Sequence, residues 1–233
     1  MGIISVDKAN NLFWLGRFTE RVFTTLRKFF RVYDHMLDDA DQENGNNILD
    51  FREYCERLSI PDKYEDQQDF VFRYLFDRSN PDSMVSNMER AYDDAIVLRD
   101  ELSSYVLAYI QMALDGFDEA QYANMPIFAL QPVIDDLFAF WGCVDDYVEN
   151  EECRNIMKTG KYLERLDLYL RLEYRLQDIE KEYSKMLNRV NRTQLRINID
   201  NLDALADIIN KKENWTENYH EALTCLGGIV EVI

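Results

Sequence analysis

The chain has 233 residues, 47% hydrophobic and 30% charged, with only 8 Gly and 4 Pro; that is length enough for a sizeable core, and the shortage of turn formers excludes collagen-like, disordered and loop-rich all-β chains. Lys and Arg number 26 against 44 Asp and Glu, a net charge of −18, and a field of that sign repels phosphate backbones and anionic headgroups, so neither nucleic acid nor a membrane surface is expected as a partner. No apolar run approaches the roughly 18–20 residues of a membrane helix, the first residues lack a basic segment ahead of an apolar one, and Cys55, Cys143, Cys153 and Cys225 contain no C-x-x-C pair, so the expectation is a cytoplasmic chain with reduced, packed cysteines.

The chain reads as helices from end to end. Leu15, Phe18, Val22, Leu26, Phe29, Tyr33 and Met36 recur at spacings of three and four, which lays one apolar stripe down a first helix. Ser5 is its candidate cap and the acidic run 38–47 its stop. A shorter helix over Ile48–Leu58 and another over Glu65–Asp77 follow. Asn80-Pro81-Asp82 reads as cap, first helical position and dipole-favoured acid, opening a helix expected to run to Leu114 and end at Gly116. After a linker, helices are expected over Pro132–Val148 and Glu151–Asn188, then an ambiguous 188–198 that is either strand or extended connection, then Asn201–Lys211 and Thr216–Ile229. No compositional break divides the chain. The expectation is all-α: a single helical-bundle domain over 1–233.

Two of these helices share a phrase. GRFTERVFTTLRKFFRVYD (16–34) and GKYLERLDLYLRLEYRLQD (160–178) are identical at seven of nineteen positions without a gap, an internal pseudo-repeat of two long Gly-x-x-x-Glu-Arg helices. At about 100° per residue, Gly16, Glu20, Arg27, Arg31 and Asp34 fall on one line, with Gly160, Glu164, Arg171, Arg175 and Asp178 on the matching one; Arg21 and Arg165 sit to one side. Such a line is either a solvated face carrying weak ion pairs or one wall of a cleft in which two pseudo-symmetric helices turn their charges toward each other.

Other chemistry finds less support. Asp145-Asp146-x-x-Glu149 has the form of an Asp-rich magnesium-diphosphate motif of helical isoprenoid synthases, where carboxylates and substrate phosphates share the metal. A second such motif is missing, and Asp pairs recur elsewhere as ordinary acidic helix ends. There is no Gly-rich phosphate loop, no nucleophile elbow and no close Cys/His set. No cofactor and no metal are expected.

FWLGRFTER (13–21), TGKYLERLD (159–167) and the intervening segment 74–103 resemble the bacterial alpha-E family over about residues 5–178, with 179–233 a divergent helical remainder. In the middle segment Asn80, Pro81, Ser83, Ala91, Ala95, Arg99, Asp100, Leu102 and Ser103 match the family's pattern. Tyr92, Asp93, Asp94 and Ile96 depart from it, removing two positive charges. The resemblance implies a helical bacterial protein associated with ATP-grasp-type ligases and transglutaminase-like proteins, hence a place beside amide-bond formation. The expected role is a non-catalytic accessory that binds a peptide, an amino-acid-like ligand or a protein partner through Glu20, Arg21, Arg27, Arg31, Glu164, Arg165, Arg171, Arg175 and Arg99. Forked guanidinium bonds would hold a carboxylate and the glutamates an amine. The alternative is acyl or aminoacyl transfer by the same residues, with a Glu as general base.

Overall fold

The computed structural model describes residues 4–38, 51–61, 63–211 and 218–231, with 32–38 as backbone only. The helices among them are α1 (Val6–Asp38), α2 (Phe51–Leu58), α3 (Gln67–Phe76), α4 (Met84–Val97), α5 (Ser104–Ala120), α6 (Gln131–Tyr147), α7 (Glu151–Arg171), α8 (Leu176–Val190), α9 (Ile199–Asn210) and α10 (Tyr219–Gly227). The acidic stop at 39–47, the helix start at 48–50 and Thr216 lie outside the described residues. Where the ends are described, the caps are local and polar: Lys8 N–H donates to Ser5 Oγ (3.3 Å) at the head of α1, and Asn150 Oδ1 accepts from Glu152 N–H (2.9 Å) at the head of α7.

The bundle is arranged around α1 and α7, which pack against each other, with α4 and α6 on α1 and α8 and α10 on α7. A contiguous core includes Leu15, Val22, Leu26, Leu163 and Leu166 together with side chains from α3 to α10. α9 and α10 join the last extended stretch, where Ile197 and Val230 form an isolated antiparallel bridge. The ambiguous 188–198 is thus the end of α8 followed by an extended connection.

Four expectations about helix boundaries change, each for a local reason. The helix expected from Pro81 begins at Met84, because Ser83 caps it by accepting from Ser86 N–H (3.1 Å), while Asn80 Oδ1 closes a turn on Asp82 N–H (3.2 Å). It also breaks after Val97, and Ser103 caps α5 anew. Gly116 is no stop: it lies inside α5, where a Cβ would come within 2.8 Å of Val133 Cγ2 on α6, so the glycine serves close helix packing. The long helix expected over Glu151–Asn188 divides at 172–175. Glu173 takes φ 50°, Glu173 N–H donates to Leu170 O (3.2 Å) and Tyr174 N–H to Tyr169 O (3.0 Å). That is a Schellman ending with glutamate where glycine is usual. Ser59 ends α2 the same way at φ 57°.

Candidate functional site

The shared phrase is where α1 and α7 touch. A Cβ on Gly16 would stand 2.0 Å from Met157 O, and one on Gly160 would stand 2.1 Å from Phe13 O. The two contacts are the same contact with the repeats exchanged, and only a residue without a side chain lets two helix backbones come this close. Contacts then advance together along both helices, as in a parallel pair. One turn beyond the glycines, the two glutamates enter the contact, both fully buried.

Each glutamate is taken by the arginine of the other helix. Arg165 forks onto Glu20, Nε to Oε1 at 2.7 Å and Nη2 to Oε2 at 2.9 Å, and Thr24 Oγ1 donates to Glu20 Oε1 at 2.5 Å. Arg21 Nε reaches Glu164 Oε1 at 2.5 Å and Arg17 Nε reaches Oε2 at 2.6 Å. The dipeptides Glu20-Arg21 and Glu164-Arg165 are therefore exchanged crosswise. Adjacent side chains on a helix point about 100° apart, so a glutamate in the seam leaves its arginine on the flank, free to reach around to the partner helix. Burial alone would raise the Glu164 carboxyl, but the Arg17 and Arg21 guanidiniums outweigh it and hold it at about 2. Glu164 in turn holds Arg21 more firmly protonated than usual, and Glu20 outweighs desolvation to do the same for Arg165. The network is a set of paired charges, the two carboxylates fully buried and the guanidiniums half-buried, in which each carboxylate oxygen has a donor.

Of the residues expected in a cleft, Glu20, Arg21, Glu164 and Arg165 come together in this seam. The other five stay outside the seam, and of these only Arg171 lines a pocket shared with Arg21 and Glu164. Arg27 and Arg31 are exposed: they lie two and three turns past Glu20, level with and beyond Arg171, where α7 ends. Arg27 rests over the Phe23 ring at 5.4 Å. Arg171 pairs with Asp167 on its own helix (2.8 Å) and donates to Arg57 O (3.1 Å). Arg175 falls beyond the end of α7 and bonds Asp178 at 3.0 Å with its side chain 82% exposed. Arg99 is exposed on the α4–α5 connection beside Asp100. The Asp34 side chain lies outside what is described. Sequence reasoning missed Arg17 and Thr24, whose signal was available: both stand on the same flank of α1 as Arg21, one helical turn or so either side of it.

Asp145, Asp146 and Glu149 are exposed at the end of α6, where Lys158 pairs with Asp145, and no group of three or more His, Cys, Asp or Glu among the described residues is placed to hold a metal. No described helix is long and apolar enough to cross a membrane. All four cysteines are free, and Cys143 alone among them is not buried. Of the departing segment, Asp94 is half-buried with Oδ2 unpartnered; burial first, and Asp93 second, push its carboxyl up to about 7.

Beside Glu164 lies a pocket of about 140 Å³ between α1, α7 and the α3–α4 region. Its polar lining is Arg17, Arg21 and Arg171 against Glu164, Asp167 and Asp82, closed by Tyr74 and three aliphatic side chains. Arg17 spends only its Nε on Glu164, and Arg21 adds a long 3.4 Å contact from Nη1 to Asn87 Oδ1, which leaves donors at the pocket edge. The half-buried Asp82 has no hydrogen-bond or ion-pair partner for its carboxylate among the described residues.

A family model called Alpha-E, described as a predicted alpha-helical domain with a conserved ER motif, matches residues 8–224. No curated protein and no solved structure matches the chain. Four Glu-Arg dipeptides occur in the sequence, at Glu20, Glu56, Glu89 and Glu164; the first and last are the two exchanged across the α1–α7 seam.

Proposed function

The chain belongs to the Alpha-E family, and from that premise we propose that it is a non-catalytic binding protein, an accessory of an ATP-grasp-type amide-bond-forming system that holds an amino-acid-like or peptide ligand. The observation that carries this reading is the pocket beside Glu164. Its three guanidiniums and three carboxylates balance, and its unspent groups are of both signs: arginine donors at one edge and the Asp82 carboxylate at another. A zwitterion, with its carboxylate on Arg17 and Arg21 and its ammonium on Asp82, fits such a lining by charge.

Acyl transfer with a glutamate base is the weaker reading. A general base works best with a pKa near the working pH, and Glu164 is held at about 2 by two guanidiniums. Glu20 is fully buried with Arg165 and Thr24 on its two oxygens. Both glutamates are spent on holding α1 to α7.

Calorimetric titration with alanine, glutamate and glycylglycine tests the proposal. At least one is expected to bind, and Asp82→Asn to weaken it about tenfold or more, the worth of one charged hydrogen bond, with no change in melting temperature. Binding of none, or binding indifferent to Asp82→Asn, would overturn it. Affinity purification is expected to recover a ligase of the ATP-grasp type.

A further inference from the structure

α5 and α6 pack as an antiparallel pair. Gly116 of α5 stands against Val133 near the start of α6, and the Tyr105 ring at the start of α5 lies 4.9 Å from that of Tyr147 at the end of α6. Along the outer side of this joint α5 places Tyr105, Tyr109 and Met112, at spacings of four and three, and α6 places Ala139, Cys143 and Tyr147, at spacings of four, so each helix lays one strip beside the other. Tyr105, Met112 and Tyr147 are 59%, 50% and 48% exposed, and the three residues between them are half-buried. Single exposed apolar side chains are ordinary, whereas a contiguous group of them marks a surface that another molecule covers. Of the eleven large apolar side chains exposed among the described residues, six lie between Tyr105 and Tyr147.

Charge is segregated over the same stretch. From Asp100 to Cys153 the chain has twelve Asp and Glu and no Lys, Arg or His, so about a quarter of the sequence carries two-thirds of the net charge of −18. Surfaces charged only for solubility intersperse the two signs; this one does not. Asp118 and Asp145 are spent on Arg78 and Lys158, which reach in from other elements. Asp115 and Glu119 on α5, and Asp136 and Asp146 on α6, are in no ion pair among the described residues and border the apolar strip.

We propose that the α5–α6 joint is a docking face for a basic amphipathic helix of a partner protein. Its apolar side chains would lie along Tyr105, Met112 and Tyr147, and its Lys and Arg would meet the acids on either side. α5 and α6 have 17 residues each, about 25 Å of helix, which gives a partner helix four to five turns of contact. Methionine and tyrosine supply adaptable apolar area, and the unpaired carboxylates steer a cationic partner and fix its orientation. A second copy of this chain is the wrong occupant by charge, because it would bring the same acidic border against itself. None of these residues lines the pocket beside Glu164, so the face goes beyond the ligand proposed there and stands without it.

The test uses a fluorescein-labelled Leu/Lys peptide of about 17 residues with leucine at i, i+3, i+4 and i+7, against a peptide of the same composition whose order gathers no apolar face. By fluorescence anisotropy the patterned peptide is expected to bind the protein about tenfold or more tighter than the scrambled one. Met112→Gln is expected to weaken it about tenfold, the worth of one apolar side chain buried on binding, and Asp136→Asn with Asp146→Asn to weaken it further and flatten its salt dependence. Glutamine matches methionine in helix propensity and the position is exposed, so the melting temperature should not move. Hydrogen exchange should slow in α5 and α6 when the patterned peptide is bound. No binding, equal binding of the two peptides, parent affinity in Met112→Gln, or protection confined to other helices would overturn the proposal. Sedimentation of the protein alone should give a monomer; a dimer that Met112→Gln dissociates would assign the face to a second copy and overturn it as well.

Discussion

Replacing Gly16 by alanine puts the helix seam to a direct test. The new Cβ would lie 2.0 Å from Met157 O and 3.1 Å from Lys161 N. Ordinary carbon–oxygen contacts at helix interfaces are about 3.3–3.6 Å, so α1 and α7 must part by more than about 1 Å, and the obstacle is backbone that no rotamer change can clear. Overpacking of this kind costs about 1–3 kcal/mol. The glutamate–arginine bonds one turn away, now 2.5–2.9 Å, would stretch with it, and bonds to charged groups are worth about 1.5–3 kcal/mol each. Alanine's better helix propensity returns about 1 kcal/mol. The net loss expected is about 3 kcal/mol, or about 6–12 °C in melting temperature for a chain of this size. Urea unfolding of Gly16→Ala, Gly160→Ala and the double variant reads both the loss and its coupling: once the helices have parted for one methyl group, the second should cost less than half as much as the first. A Gly16→Ala protein as stable as the parent, or a double variant whose losses simply add, would refute the close approach.

Two further outcomes follow from the same seam. Glu164→Gln should cost about 3 kcal/mol at pH 7, because it removes the fully buried carboxylate on which two half-buried guanidiniums are paired. The pH dependence has a definite sign: the folded pKa of about 2 lies below the ordinary 4.5, so the carboxylate's contribution is complete above 4.5 and is lost as pH falls toward 2, and unfolding curves of parent and variant should converge over that range. In contrast, alanine at Arg31, Arg99 or Arg175 should shift stability by no more than about 0.5 kcal/mol, since these side chains stand in solvent with at most a local ion pair, and at Arg27 by no more than about 1 kcal/mol for its contact with the Phe23 ring; urea midpoints check this.

The helical architecture was legible in periodicity, and the two glutamates and their neighbouring arginines were legible in the shared phrase. Less legible was where each helix stops. Glu173 and Ser59 adopt positive φ without being glycine, whereas Gly116, the residue that looked like a stop, is a packing contact against Val133. The charged line failed for a geometric reason: a helical wheel projects a whole helix onto one circle, but α7 ends at Arg171. Arg27 and Arg31 share the angle of Glu20 without sharing its depth in the contact. Partner choice was the least legible part. The pairs join residues about 145 positions apart in sequence, as Arg165 and Glu20 do, and no local pattern says that Glu20 belongs with Arg165 rather than with the Arg21 beside it. The pocket acid Asp82 gave no signal beyond its place after Pro81, because what distinguishes it is the absence of a partner.

The exchange of arginines between the two phrases is the central claim, and double-mutant cycles measure it most directly. Stability is determined for Glu20→Gln, Arg21→Gln, Glu164→Gln, Arg165→Gln and the paired combinations. The crosswise pairs Glu20/Arg165 and Glu164/Arg21 should couple by about 1–3 kcal/mol, while the sequence neighbours Glu20/Arg21 and Glu164/Arg165, which do not face each other on a helix, should couple by less than about 0.5 kcal/mol. Coupling concentrated within each dipeptide, or absent from the crosswise pairs, would contradict the account.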